Sequence, residues 1–418
     1  MTELKNCLRE DFNESSKEKE MKIGKGDLVK WEKNLKKAYL VHFLMGFHMI
    51  SGILMPFFLD WGGLNFVQVM LVQSYCTIMV LIFEIPCGAI ADYLSRKLSL
   101  ILGAAITGLA AFVYSSYPNI LIFLLGETLW AFGAALLSGT DQAFIYDTLR
   151  KLGKQHEISK YMARIRGFTL VAIGISAPIG SLIGSRFSLP LVMRLMTIPM
   201  VGAALVGLTF KEPKKESFNN QKESYLRIIK SGTKELVTNK NLRILAFDLI
   251  LAESMIFFII WTYQLYLELL EFQMIYFGFI SAALTVVQII FNNIAPKLEY
   301  QCTNKRTFIR IYTIIPGLGF ILMSFIRFTP ISIALILLVI GTGFSRSIIF
   351  TKGINKSIQS DNRATIISTI NMVANLLRTI LFPFIGYLTM INIGFTFIFL
   401  GTAMILLAIF SRIRNHQF

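Results

Sequence analysis

The sequence predicts an all-α polytopic membrane protein of about twelve transmembrane helices, arranged as two six-helix halves. Three observations predict it. Of 418 residues, 54% are hydrophobic and only 16% charged, with a mean hydropathy of +0.61. Soluble domains carry about 25% charge, so this much apolar surface needs lipid as its solvent. Apolar runs of the ~20 residues that cross a bilayer recur along the chain. Lys and Arg gather in every second break between those runs, which is the bias that sets membrane orientation.

In chain order, residues 1–37 are a polar tail, with 27–37 expected as a short interfacial helix. The tail lacks the apolar stretch of a signal peptide. The N-terminal half, 38–210, holds spans at 38–59, 66–90, 98–117, 119–142, 163–186 and 189–210. The linker, 211–241, is the longest polar stretch between spans and is rich in Lys. The C-terminal half and a short tail, 242–418, hold spans at 242–267, 273–296, 307–327, 330–350, 364–388 and 392–411. Paired six-helix halves are one plan of secondary transporters, with the substrate site near the midplane between them.

The breaks after spans two, four, six, eight and ten are basic: Arg96 with Lys97, 150–166, the linker, 297–310 and 352–363. The remaining breaks carry almost no positive charge. The turn at 117–119 is neutral and the hairpin at Glu268 and Glu271 is acidic, with Arg186 and Arg327 as exceptions. Both termini and the linker are therefore expected in the cytoplasm, and the protein in the cell membrane, plasma or inner. The net charge of +16 sits in these loops, which argues against nucleic acid as a partner. Cys7, Cys76, Cys87 and Cys302 form no CxxC pair or metal-ligand spacing, so neither metal nor cofactor is expected. No phosphate-binding Gly-rich loop, HExxH or Ser/His/Asp set stands out. An enzyme and an ATP-driven pump are thereby disfavoured.

After span two comes Gly88-Ala-Ile-Ala-Asp92-Tyr-Leu-Ser-Arg96-Lys97. This resembles the signature loop between helices two and three of the major facilitator superfamily, with Ser95 where a glycine is usual. The resemblance covers spans one to twelve and implies that superfamily's fold. It also implies a latch on the cytoplasmic side. Asp92 would meet the N-terminus of span eleven, where the helix dipole favours negative charge. Arg96 would meet a carboxylate at the end of span four, Asp141 or Asp147. Gly88 suits close helix approach. The alternative for this loop is ordinary basic charge under the orientation rule. The matching loop of the second half keeps Lys297, Glu299, Lys305 and Arg306 without the spacing, so a second latch is expected to be degenerate or absent. Many proton-driven exporters of the superfamily carry an arginine in span four, but here the aligned residue is Glu127. Their span-five Gly-Pro pattern is matched only loosely, by Gly174 to Pro178, Gly180 and Gly184. A kinked helix packed through small residues explains that run equally well.

Ionisable groups inside a membrane are costly and mark candidate sites. Glu253 lies ~17 Å into span seven and His48 at similar depth in span one. Arg378 lies ~21 Å into span eleven, and Asn371, Asn375 and Arg378 share one helical face. Glu127 is ~12 Å below the outer end of span four, and Arg194 is in the outer part of span six. In the functional reading, Glu253 or Glu127 carries a proton and Arg378 contacts substrate or tunes the acid. In the structural reading, Glu253–Arg378 and Glu127–Arg194 are ion pairs that neutralise buried charge. A lone histidine such as His48 is more often a hydrogen-bonded structural group. Trp261, Tyr263, Gln264 and Tyr266, with Trp130, could wall a cavity, but their place near the outer interface favours an aromatic belt.

These features lead to the expectation of a monomeric secondary transporter of a small molecule, working by alternating access. A proton-coupled exporter, an antiporter, is preferred on the span-five pattern, the aromatic content and the absence of sugar-porter signatures. The alternatives are an uptake symporter or facilitator for a small metabolite, and a non-transporting membrane receptor on the same fold.

Overall fold

The computed structural model describes residues 25–93, 95–213, 225–358 and 363–417, apart from the side chains of a few of them. Every long element among these residues is a helix. Eleven helices are long and apolar enough to cross a membrane, and one bent pair brings the number to twelve.

The bent pair is span one. The sequence reads as one helix at 38–59, but the chain runs as Leu28–Gly52 and Leu54–Trp61, set at 72° to each other. The helix that opens span one starts at Lys25, so 27–37 is its continuation and not a separate interfacial helix. Trp31 and Asn34 are buried on it. Asn34 exchanges two hydrogen bonds with the backbone of Lys211, at 2.8 and 3.1 Å, and the Lys211 ammonium sits 4.4 Å from the centre of the Trp31 ring. These contacts explain why a polar segment folds onto the bundle.

The other spans follow the predicted order. Spans two to six are Phe66–Tyr93, Arg96–Tyr114, Ile120–Leu137, Ile158–Arg186 and Leu189–Leu208. Spans seven to twelve are Lys240–Leu269, Phe277–Gln301, Lys305–Phe325, Thr329–Ser357, Arg363–Ile391 and Ile393–Phe410. Several run past the predicted ends, because a helix continues into charged turns once its apolar part has crossed. Span four ends at Ser138, and Gly139 takes a left-handed turn at φ 71°. The chain then forms a short helix, Thr140–Lys151, that carries Asp141 and Asp147. Within the linker, Tyr225–Thr238 is helical.

Local polar residues start the spans. Asn119, Asn239, Asn304 and Asn392 each accept from backbone N–H groups at the start of spans four, seven, nine and twelve. Such caps satisfy donors that a helix leaves unpaired. Inside the bundle, small residues allow close approach. Gly180 of span five lies against the Met49 carbonyl at the break in span one. Gly278 of span eight lies against the Ala177 carbonyl of span five. At either place a Cβ would fall within 2.2 Å of a carbonyl oxygen. Gly174, by contrast, faces open space. The glycine and proline run of span five is therefore partly a packing device.

Candidate functional site

The end of the bundle that carries the linker and the charged loops is called here the basic face, and the opposite end the neutral face. The latch loop lies at the basic face. Ser95 is the N-cap of span three, its hydroxyl accepting from the Leu98 N–H at 3.0 Å. That role accounts for serine where the superfamily usually has glycine. The Arg96 guanidinium pairs with Asp147 and donates to the Ala143 carbonyl at 2.8 Å. Of the two acids proposed as its partner, only Asp147 takes the role. Asp141 instead accepts from the Gln142 N–H at 2.6 Å. Glu212, just past span six, accepts from the backbone N–H groups of Arg96 and Lys97 at 3.1 and 2.9 Å. A carboxylate on a helix N-terminus satisfies orphan donors and the dipole together. The side chains at 88–94, including Asp92, lie outside the described part of the structure, as do Cys7 and residues 359–362.

The second-half loop is less degenerate than its spacing suggests. Glu299 is buried at the end of span eight. Its two carboxylate oxygens pair with Lys305 of span nine and Lys352 of span ten, each at 3.0 Å. The acid now sits on the helix before the loop, so the cluster exists with its charges redistributed.

At mid-depth, Glu253 and Arg378 come together at 3.6 Å. Arg378 also donates to Asn375 at 3.4 Å and stands 4.8 Å from the centre of the Phe257 ring. Its Nε is buried without a hydrogen-bond partner among the described residues. The pair keeps side-chain exposures of 27% and 18%, and Arg166 of span five is near enough for its field to reach Glu253. The pair thus keeps some accessible surface, with a cation of the first six spans within range of its field. Asn371 is exposed and does not join the pair. Since both members are partly accessible at mid-depth, the pair can exchange partners with a ligand or water.

The second expected pair, Glu127–Arg194, does not form. Glu127 is buried and accepts from Gln73 at 2.7 Å, with Cys76 and Tyr114 also in hydrogen-bond reach. Arg194 is exposed and donates to the Ser115 carbonyl at 3.0 Å. Three neutral donors from spans two and three hold the acid, so no cation is needed. His48 sits at the break in span one, bonded to the Met45 backbone and edge-on to Trp130 at 5.6 Å.

The expected aromatic belt in span seven is not lipid-facing: Trp261, Tyr263, Gln264 and Tyr266 are all buried. The reason is the broken first span. Its free backbone needs partners where no water is at hand. The Gln264 amide supplies them, accepting from Met55 N–H at 2.8 Å and donating to the Ser51 carbonyl at 2.9 Å. Tyr263 donates to the same carbonyl at 3.3 Å. Tyr266 donates to the Ile326 carbonyl at 2.6 Å. Two further bonds join the halves: Ser181 to the Ile275 carbonyl and Ser74 to the Thr379 carbonyl, each at 2.9 Å. Together with the glycine contacts, these close approaches run from mid-depth to the neutral face.

Sequence reasoning missed a buried network in the second half. Asp248 of span seven pairs with Arg346 of span ten, and both are almost fully buried. The Arg346 Nε donates to Thr313 at 2.8 Å, and Ser411 donates to Asp248 at 2.7 Å. Both charges lie inside apolar runs, the same signal that marked Glu253, so the signal was there to find. Among the described residues, no cluster of His, Cys, Asp or Glu could hold a metal ion.

A bundle of eleven or twelve apolar helices, tightly joined at one end and with an accessible ion pair at mid-depth, belongs to the class of polytopic membrane transporters. The sequence profile of the Major Facilitator Superfamily matches residues 38–381, and the chain belongs to that superfamily. Among solved structures it is similar to the nucleoside transporter NupG, with a TM-score of 0.77 at 15% identity, covering 91% of this chain and 98% of that one. It is similar to the POT family transporter PepTSo, with a TM-score of 0.68 at 12% identity, covering 91% and 97%. It is also similar to a bacterial homolog of the human lysosomal transporter Spinster, with a TM-score of 0.70 at 13% identity, covering 93% and 95%. At these identities the likeness is one of fold. No curated protein sequence matches the chain.

Proposed function

We propose that this transporter is a secondary active, proton-coupled exporter of a small molecule, working by alternating access in the cell membrane with its basic face in the cytoplasm. The observation that carries the reading is the Glu253–Arg378 pair, at 3.6 Å and mid-depth, with both members partly exposed. In a low dielectric an unpaired carboxylate takes up a proton, and one beside a guanidinium gives it up. Substrate that draws Arg378 away, or a rocking of the halves that separates the pair, therefore moves a proton. Arg378 is suited to the first role because its Nε has no hydrogen-bond partner among the described residues. The Arg96–Asp147–Glu212 cluster, with Asp92, serves as the latch of the basic face. Gln264 and the glycine contacts serve as the seal of the neutral face. The competing reading is uptake of a small metabolite by a symporter or facilitator on the same fold.

The test is Glu253→Gln in proteoliposomes. The variant should lose substrate movement driven by a pH gradient while retaining exchange of substrate for substrate. Accumulation with normal pH dependence would make Glu253 a structural group. The direction of an imposed gradient that drives loading separates export from uptake.

A further inference from the structure

We propose that a cleft between spans seven and twelve, at the basic face, is a binding site for one anionic phospholipid. The cleft has a volume of about 400 Å³. Arg243 and Arg412 form its rim, Ile244, Phe247, Leu407 and Phe410 its wall, and Asp248 with Ser411 its floor. The lining is layered along the membrane normal. Arg243 is in the first turn of span seven, and Arg412 is two residues past the end of span twelve. Phe247 is ~6 Å deeper than Arg243 along its helix, and Leu407 ~4.5 Å deeper than Phe410, the last helical residue before Arg412. Positive charge thus sits at headgroup depth and apolar surface at the depth of the first acyl carbons, which is the order of groups in a phospholipid.

Phe247 and Phe410 are 61% and 74% exposed, so the cleft opens sideways, towards lipid. Arg412 has no partner among the described residues, and Arg243 uses one nitrogen on the Val237 carbonyl at 3.0 Å. Both guanidinium groups keep donors for a phosphate, which arginine takes in a forked pair of hydrogen bonds. The Asp248 carboxylate in the floor does not repel an anion, because Arg346 and Ser411 already occupy it. A free phosphate would leave the four apolar side chains without a partner, and a zwitterionic lipid brings its own ammonium to its phosphate, leaving the net charge of the two arginines unmatched. An anionic phospholipid answers to both. The floor residues join spans seven, ten and twelve, so an occupied cleft braces the second half from outside. Such a site requires only that the spans cross a bilayer, whatever the protein transports.

The test uses the purified full chain in detergent, with native mass spectrometry and thermal shift as readouts. Phosphatidylglycerol should bind and raise the melting temperature more than phosphatidylethanolamine of the same chains, and inorganic phosphate should do neither. Arg243→Gln with Arg412→Gln should weaken phosphatidylglycerol binding about thirty-fold, at roughly fivefold per surface arginine. Arg243→Lys with Arg412→Lys should keep most of it. Equal binding of the two lipids, or unchanged binding by the double Gln variant, overturns the proposal. A stabilisation by inorganic phosphate that matches the lipid's would make this a simple anion site and overturns it as well.

Discussion

Single residues separate into charges that are locked and charges that can move. Asp248 and Arg346 are locked, each held by several partners in a dry interior. Removing one member leaves the other buried without compensation, which costs about 3–5 kcal/mol, whereas replacing both by apolar groups is often neutral. Asp248→Asn should therefore lower the melting temperature markedly, and Asp248→Leu with Arg346→Met should recover most of the loss. A single variant as stable as the parent would show that the pair contributes nothing. Arg96 is a different case. It is partly exposed and sits in a loop cluster, so Arg96→Ala should insert and fold yet transport several-fold more slowly. Wild-type transport by that variant would remove the latch from the account. Sequence gave equal standing to Asp141 and Asp147 as its partner. Which of them reaches Arg96 depends on the turn at Gly139 and the direction of the short helix after it, and no local pattern encodes that direction.

At the scale of elements, the break in span one governs the seal proposed for the neutral face. Hydropathy reads 38–59 as a plain span, because broken and unbroken helices are equally apolar. What marks the break is its partner, Gln264, over two hundred residues away in the chain. The Gln264 amide holds one N–H and one carbonyl of the broken segment, and each buried group left unpaired costs about 1–3 kcal/mol. Gln264→Leu should shift the population towards the state open at the neutral face by about tenfold or more. A cysteine placed at Ser176, which is buried at this seal, should react faster with an impermeant maleimide in the Gln264→Leu background. Equal rates in both backgrounds would mean that the amide does not hold the seal. The buried aromatic residues of span seven follow from the same cause: a segment that must complete a neighbour's backbone cannot face lipid.

At the scale of the whole molecule, topology rests on the placement of charge. The basic breaks alternate with neutral ones, so a cysteine at Lys154 and one at Asn119 should label from opposite sides of the membrane, Lys154 from the cytoplasm. Labelling of both from outside would overturn the orientation and the count of spans together. Among the described residues, the hydrogen bonds across the halves gather between mid-depth and the neutral face, while Glu253 and Arg378 keep some exposure. The alternating cycle proposed above would use that asymmetry, with one end sealed while the site stays reachable from the other.

The sequence by itself determined the membrane class, the order of the spans and the superfamily. All of these rest on local quantities: apolar length, the sign of charge in short loops, and spacing within ten residues. The bringing together of Glu253 and Arg378 was also within reach, because intramembrane charges are few and must find partners. Only the tertiary structure decided that Glu127 is held by Gln73, Cys76 and Tyr114 and not by Arg194. It alone decided that Glu299 gathers Lys305 and Lys352, and that Glu212 caps span three. The physical reason is the same in each case. A buried polar group needs some partner, and its own helix states the need, but the partner comes from another helix whose rotation and depth are set by packing across the whole bundle.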